Sequence, residues 1–238
     1  MSLIAVKRLD VHIQSSQILR AVSIGVEPGE VVCLVGRNGA GKSTTLRTIM
    51  GYRRLSAGTI TFKGEPIGGL PTHVIARRGI GFAPEESEIF ADLTVAENIE
   101  ISTWTRPTAR PAAKRIALAY DVFPRLRAYA GRGGTQISGG ERKMLSIARA
   151  LALDAELLLL DEPFEGLSPA IVPAIAESIA AITRLERGVL IAESNIHHVP
   201  AFASRLYVIE RGEIVFAGSL DEARRDPAVL RVIGGKAS

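Results

Sequence analysis

The sequence predicts an α/β fold: a parallel sheet covered by helices on both faces, with an N-terminal antiparallel β subdomain and a helical lobe inserted in the core. Three observations carry this. Short apolar runs, Val31 to Val35, Leu157 to Leu160 and Val189 to Ala192, alternate with helical patterns opening at Lys42, at Pro169 and after Ala192. Strands apolar at every residue belong to sheets buried on both faces. The first thirty residues and Thr59 to Phe62 read instead as hairpin strands, punctuated by Pro28-Gly29 and Ser56-Ala57-Gly58. From Thr94 to Tyr129 the pattern is helical, broken by Pro107, Pro111 and Pro124, and strand character returns only near Glu156. A helical lobe over about 86–155 is therefore expected, within one domain covering 1–238.

A chain of 238 residues with 47% hydrophobic side chains buries a substantial core without dividing. No internal repeat or long low-complexity segment is present. The net charge of +4 comes from 29 basic and 25 acidic residues dispersed among one another, which argues against nucleic acid as a partner. Lys7 and Arg8 interrupt the apolar start, so no secretory signal is expected. The strongest apolar run, Leu157 to Leu160, is far shorter than the roughly 20 residues of a spanning helix. Any link to a membrane then runs through a partner. Cys33, the sole cysteine, lies inside an apolar strand and is expected as a small core residue in a reducing compartment. Tyr207 and Phe216 read as core residues of later strands.

Gly36-Arg37-Asn38-Gly39-Ala40-Gly41-Lys42-Ser43 fits the phosphate-loop pattern and stands between an apolar strand and a helical run, the context that pattern requires. Glycines let the backbone turn so that successive N–H groups face phosphate oxygens, and the helix dipole adds to their pull. Lys42 is expected at the β- and γ-phosphates of ATP and Ser43 on Mg²⁺, with Gly36 to Thr44 forming the nucleotide cradle. Leu157 to Leu160 deliver Asp161 and Glu162 at the carboxyl end of a buried strand, where open α/β sheets bind ligands. Asp161 is expected to hold Mg²⁺ and Glu162 to orient and activate water. Ser138-Gly139-Gly140-Glu141 opens another helix, and it reads either as an ordinary serine cap or as a second anion site.

The phosphate loop at 36–43, ISGGE at 137–141 and LLLLDEP at 157–163, in this order, resemble the nucleotide-binding domains of ABC transporters over nearly the whole chain. The resemblance implies a P-loop NTPase core of the ABC ATPase type. It also implies a dimer in which each ATP lies between the phosphate loop of one subunit and the SGG turn of the other, driving membrane subunits. GIGFAPEESEIFADLTVAENI at 79–99, DEPFEGLSPAIV at 161–172 and DPAVLRVIGG at 226–235 look like the ATPase subunits of branched-chain amino acid importers. An importer motor for branched-chain amino acids or related small polar solutes is expected, at the cytoplasmic face of a bacterial inner membrane. Its partners would be permease subunits, a second ATPase subunit, related but different or a second copy, and, indirectly, a periplasmic solute-binding protein.

Three positions depart from the wider family. Glu85 stands where a Gln contacts Mg²⁺, and a carboxylate remains a hard oxygen ligand for it. His12 and Ile13 occupy the place of an adenine-stacking aromatic, and Ser194 that of a switch histidine at the γ-phosphate. The last two leave open a regulatory subunit that binds ATP while its partner hydrolyses. His197 and His198, close to Ser194, read as surface residues opening a helical segment rather than as substitutes for the switch residue. Trp104 either packs the helical lobe or contacts a membrane subunit.

Overall fold

In a computed structural model, which describes residues 2–233, the N-terminal third forms a small antiparallel sheet. β1 (Ile4–Ile13) pairs with β2 (Ser16–Val26) and, after β3 (Val31–Val35) and α1 (Lys42–Ile49), with β4 (Ala57–Phe62), which continues to the short β5 (Glu65–Pro66). The order is β2-β1-β4-β5. Ser56-Ala57-Gly58 is not the turn its composition suggests, because Ala57 and Gly58 belong to β4. There Gly58 takes φ +91° against the Arg8 carbonyl, beside an irregularity in β1, and glycine is the residue that tolerates such a bulge.

The second sheet is the scaffold of the site. After α2 (Thr72–Arg78) come β6 (Ile80–Ala83), then α3 (Val95–Ser102), α4 (Ala112–Val122), α5 (Pro124–Arg127) and α6 (Gly139–Ala152). The chain returns through β7 (Leu157–Asp161), α7 (Val172–Thr183), β8 (Gly188–Glu193), β9 (Arg205–Glu210) and β10 (Glu213–Gly218), closing with α8 (Leu220–Arg225) and α9 (Pro227–Ile233). The strand order is β10-β9-β3-β8-β7-β6, parallel except for the β10 edge. Gly234 and Gly235, the end of one expected motif, lie outside the described residues.

Alternate residues of these strands feed two cores. Val31, Cys33, Val35, Leu158, Leu160, Val189 and Ile191 pack with α3, α6 and α7. Val32, Leu34, Leu157, Leu159, Leu190 and Ala192 pack with α1 and the antiparallel sheet. Both faces are thus covered, as all-apolar strands require. Cys33 is fully buried, with its thiol pKa pushed up by that burial. Tyr207 is buried and Phe216 half-buried against the first core.

Two helix expectations shift. The helix after β7 begins at Val172 rather than Pro169, because Pro173, which needs no N–H partner, sits in its first turn. After β8 only a single 3₁₀ turn forms, Ile196–His198. Pro200 ends it by holding Val199 extended (ψ 119°).

Buried Asn98 organises the loop between β6 and α3. Its side chain accepts from the Phe90 N–H at 2.9 Å and donates to the carbonyls of Phe90, Leu93 and Thr94 at 2.9, 3.1 and 3.0 Å.

Candidate functional site

β3 runs directly into the glycine-rich loop, whose first N–H, that of Gly36, donates to the Glu193 carbonyl on β8 at 3.1 Å. Gly41 caps α1 in the left-handed region (φ +113°) with Leu19 so close that a Cβ would stand 2.6 Å from it. No side chain caps α1, so its first N–H groups keep their capacity for an anion. The loop wraps Lys42, only 4% exposed, whose ammonium donates to the Gly36 and Arg37 carbonyls at 2.8 and 3.4 Å. Arg37, Asn38 and Gly39 are exposed at the rim, while Ala40 is buried and Thr44 half-buried.

β7 lies one strand away from β3, across β8, and brings its two terminal carboxylates against α1. The Ser43 hydroxyl donates to Asp161 Oδ1 at 2.9 Å, joining residues 118 positions apart. Burial pushes the Asp161 pKa up to about 6, against the Ser43 hydrogen bond and the Arg47 charge, which lower it. The other oxygen, Oδ2, is buried with no hydrogen-bond partner. Glu162 is buried with φ +49°, a conformation that costs a non-glycine residue about 1 kcal/mol or more. That backbone turn aims the carboxylate at Lys42, 3.0 Å from Oε1. Oε2 receives the Ser194 N–H at 3.1 Å and the Ser194 hydroxyl at 3.0 Å.

Two groups missed by sequence reasoning, Glu193 and Lys143, and one misjudged by it, His198, surround this centre. Glu193, fully buried, accepts from the Phe164 N–H at 3.2 Å and lies 3.3 Å from His198 Nδ1. Burial, reinforced by the Glu162 charge, pushes its pKa up to about 9, so the carboxyl is neutral at pH 7. His198 is therefore half-buried against Glu193 and the Phe164 ring rather than free on the surface, whereas His197 is exposed. Lys143 of α6 is 5% exposed and donates to the Glu85 carbonyl at 2.6 Å. Burial holds its pKa below the usual lysine range, opposed first by Glu85. The Glu85 carboxylate itself is exposed, and its charge reaches Asp161. Lys143 shares the stripe Lys143, Ile147, Ala150, Leu151, all buried; this spacing was the available signal.

The Ser138 turn is both a cap and an exposed surface. The Ser138 hydroxyl accepts from the Glu141 N–H at 3.3 Å and Glu141 accepts from the Ser138 N–H at 2.7 Å, a reciprocal capping box. Ser138 and Gly139 are exposed; the neighbours of Gly139 and Gly140 are Arg142 and Ile171, not the phosphate loop. At the other departures, His12 bonds Ser56 Oγ at 2.9 Å and Ile13 is half-buried.

Among the described residues no group of three or more His, Cys, Asp and Glu could hold a metal on its own. The donors that converge are a hydroxyl and a carboxylate with one unpartnered buried oxygen. Such hard oxygens fit Mg²⁺ shared with phosphates.

A glycine loop wound round a buried lysine, beside a strand ending in two carboxylates, defines a phosphate-loop nucleotide hydrolase. The family profile described as ABC transporter matches residues 19–165. The chain belongs to that family and is an ABC ATPase subunit, an enzyme that hydrolyses ATP. It is 41% identical over 200 residues to the high-affinity branched-chain amino acid transport ATP-binding protein BraG of Pseudomonas aeruginosa, covering 84% of this chain and 85% of that one. It is 36% identical over 238 residues to the lipopolysaccharide export system ATP-binding protein LptB of Haemophilus influenzae, covering 99% and 98%. With the probable branched-chain amino acid transport ATP-binding protein LivF of Archaeoglobus fulgidus it shares 34% over 216 residues, covering 90% and 91%. A nucleotide-free ATP-binding cassette from an ABC transporter superposes with a TM-score of 0.86 at 23% identity, covering 99% of this chain and 100% of the other. ABC ATPase subunits pair as dimers and work with membrane permease components. No helix among the described residues is long and apolar enough to cross a membrane.

Proposed function

We propose that this ATPase is the motor subunit of an importer for branched-chain amino acids or related small polar solutes. It acts at the cytoplasmic face of a bacterial inner membrane, bound to permease subunits that a periplasmic solute-binding protein supplies, and paired with a second ATPase subunit. The observation that carries its catalytic side is the bond between Ser43 and Asp161 beside the Lys42–Glu162 pair.

In this reading the N–H groups of Gly36 to Thr44 hold the ATP phosphates and Lys42 turns from Glu162 to the β- and γ-phosphates. Ser43, Asp161 and Glu85 hold Mg²⁺, which when bound supplies positive charge to the phosphate oxygens. Glu162, freed from Lys42 and still held by Ser194, orients the attacking water and accepts its proton. Ser138, Gly139, Gly140 and Glu141 serve the nucleotide of the second subunit. Tyr52, 54% exposed, lines a groove of about 280 Å³ between α2, β6 and α6, and Phe90 and Trp104 are exposed by 45 and 71%. These aromatics and this groove suit a docking surface for a permease subunit.

The likeness to BraG and LivF supports import of branched-chain amino acids, and the likeness to LptB supports export as the competing direction. Ile13 and Ser194 favour a second reading, a regulatory subunit whose own site turns over slowly beside a more active partner. Copurification with membrane subunits decides between import and export. A periplasmic binding protein in the same complex, responding to branched-chain amino acids in a ligand screen, supports the proposal, and a complex built for lipid substrates overturns it.

A further inference from the structure

Lys143 stands between two parts of the molecule that belong, in the proposed reading, to different ATP sites. It lies five positions into α6 from Ser138, about 7.5 Å along the helix axis, so it is rigidly connected to the SGG turn. Its ammonium donates to the main-chain carbonyl of Glu85, two residues beyond β6, whose charge reaches this chain's own Asp161. Buried lysines are rare unless their charge is answered, and here the answering carboxylates are Glu85, Glu193, Asp161 and Glu165. Six residues further on, Arg149 donates to the Glu88 carbonyl at 2.7 Å. The loop after β6 is thus pinned to α6 at two main-chain points, and Lys143 holds the one nearer the site.

We propose that Lys143 is a positioning residue that ties the Glu85 loop to the helix carrying the SGG turn, so that engagement of that turn at one nucleotide adjusts Glu85 at the other. This rests on the shared-site reading above. A shift of α6 along its axis carries the ammonium with it. Glu85 must then follow or lose its hydrogen bond, and the short distance favours its following.

Lys143→Met keeps most of the side-chain length and removes the donor, whereas Lys143→Gln retains an N–H donor on a side chain one bond shorter. ATPase rates against ATP concentration are measured on the complex purified with its membrane subunits, and ATP binding on the isolated chain. Lys143→Met is expected to lower maximal turnover at least five-fold and bring the Hill coefficient to 1, with ATP affinity of the isolated chain within two-fold of wild type. Lys143→Gln is expected to recover most of both losses. If Lys143→Met does not fold, Lys143→Ala, which admits water, carries the same expectation. Wild-type turnover in the Met variant, equal failure of Gln and Met, or a Hill coefficient of 1 in the wild type overturns the tie. Lys42→Ala in the same series separates the two ideas: undiminished ATP binding there overturns the site reading itself.

Discussion

Ser194 gives both its backbone N–H and its hydroxyl to a single oxygen of Glu162, at 3.1 and 3.0 Å, while Lys42 holds the other oxygen at 3.0 Å. A serine thus braces the carboxylate at the position where the family resemblance places a switch histidine. Ser194→Ala removes one of the two donors and is expected to lower kcat about 5- to 10-fold, about 1–1.4 kcal/mol, the scale of one hydrogen bond. The ATP KM should stay within two-fold and Ser194→Thr should restore the rate. Steady-state kinetics of these variants, with Ser194→His beside them, check this.

Glu162→Gln keeps the hydrogen-bonding shape and loses the base. A fall in kcat of about 10²-fold or more is expected, with ATP still bound. Single-turnover assays with the second subunit present measure it.

Lys42 and Glu162 answer each other's charge at 4% side-chain exposure each. Removing one partner of such a pair costs about 3–5 kcal/mol, so Lys42→Ala should both abolish tight ATP binding and lower stability without nucleotide. Lys42→Ala combined with Glu162→Gln should be more stable than Lys42→Ala alone. Urea denaturation of the three variants tests this non-additivity.

Glu193, with its pKa raised to about 9 from an ordinary 4.5, holds its proton in the folded chain over a range where the unfolded chain has released it. Between those values the folded state binds more protons, so this group makes stability fall as pH rises, by up to about 1.4 kcal/mol per pH unit. Glu193→Gln should flatten that slope between pH 5.5 and 8.5. Urea midpoints of both proteins across this range provide the comparison.

Trp104→Ala and Phe90→Ala should weaken association with permease subunits while leaving ATP binding by the isolated chain unchanged within two-fold. Exposure of both rings in the absence of partners motivates this. Pull-down with the membrane subunits and calorimetry on the isolated chain give the two readings.

The loop at Gly36 to Ser43 and the pair Asp161-Glu162 were legible in the sequence because each stands at the end of an all-apolar strand, and strand ends are where such sheets place chemistry. The alternation of the strands between two cores followed from the same runs. What escaped was contact made between distant segments. The Lys143 bond to Glu85 spans 58 positions and the Glu193 bond to Phe164 spans 29, and neither residue carries a local pattern that names its partner. His198 was misjudged for the same reason: only the fold turns its ring toward a buried carboxyl. The start of α7 and the single turn after β8 were set by Pro173 and Pro200, whose effect depends on which residue opens the helix.

The four hydrogen bonds of Asn98 have a mechanical consequence. They clip the span from Phe90 to Thr94 to the first turn of α3, so this stretch is stiff although it has no regular secondary structure. A compliant loop pressed against a partner would absorb a push as local bending. In the proposed docking this one would pass the push on, so that a movement at the base of α3 would reach Phe90 as displacement.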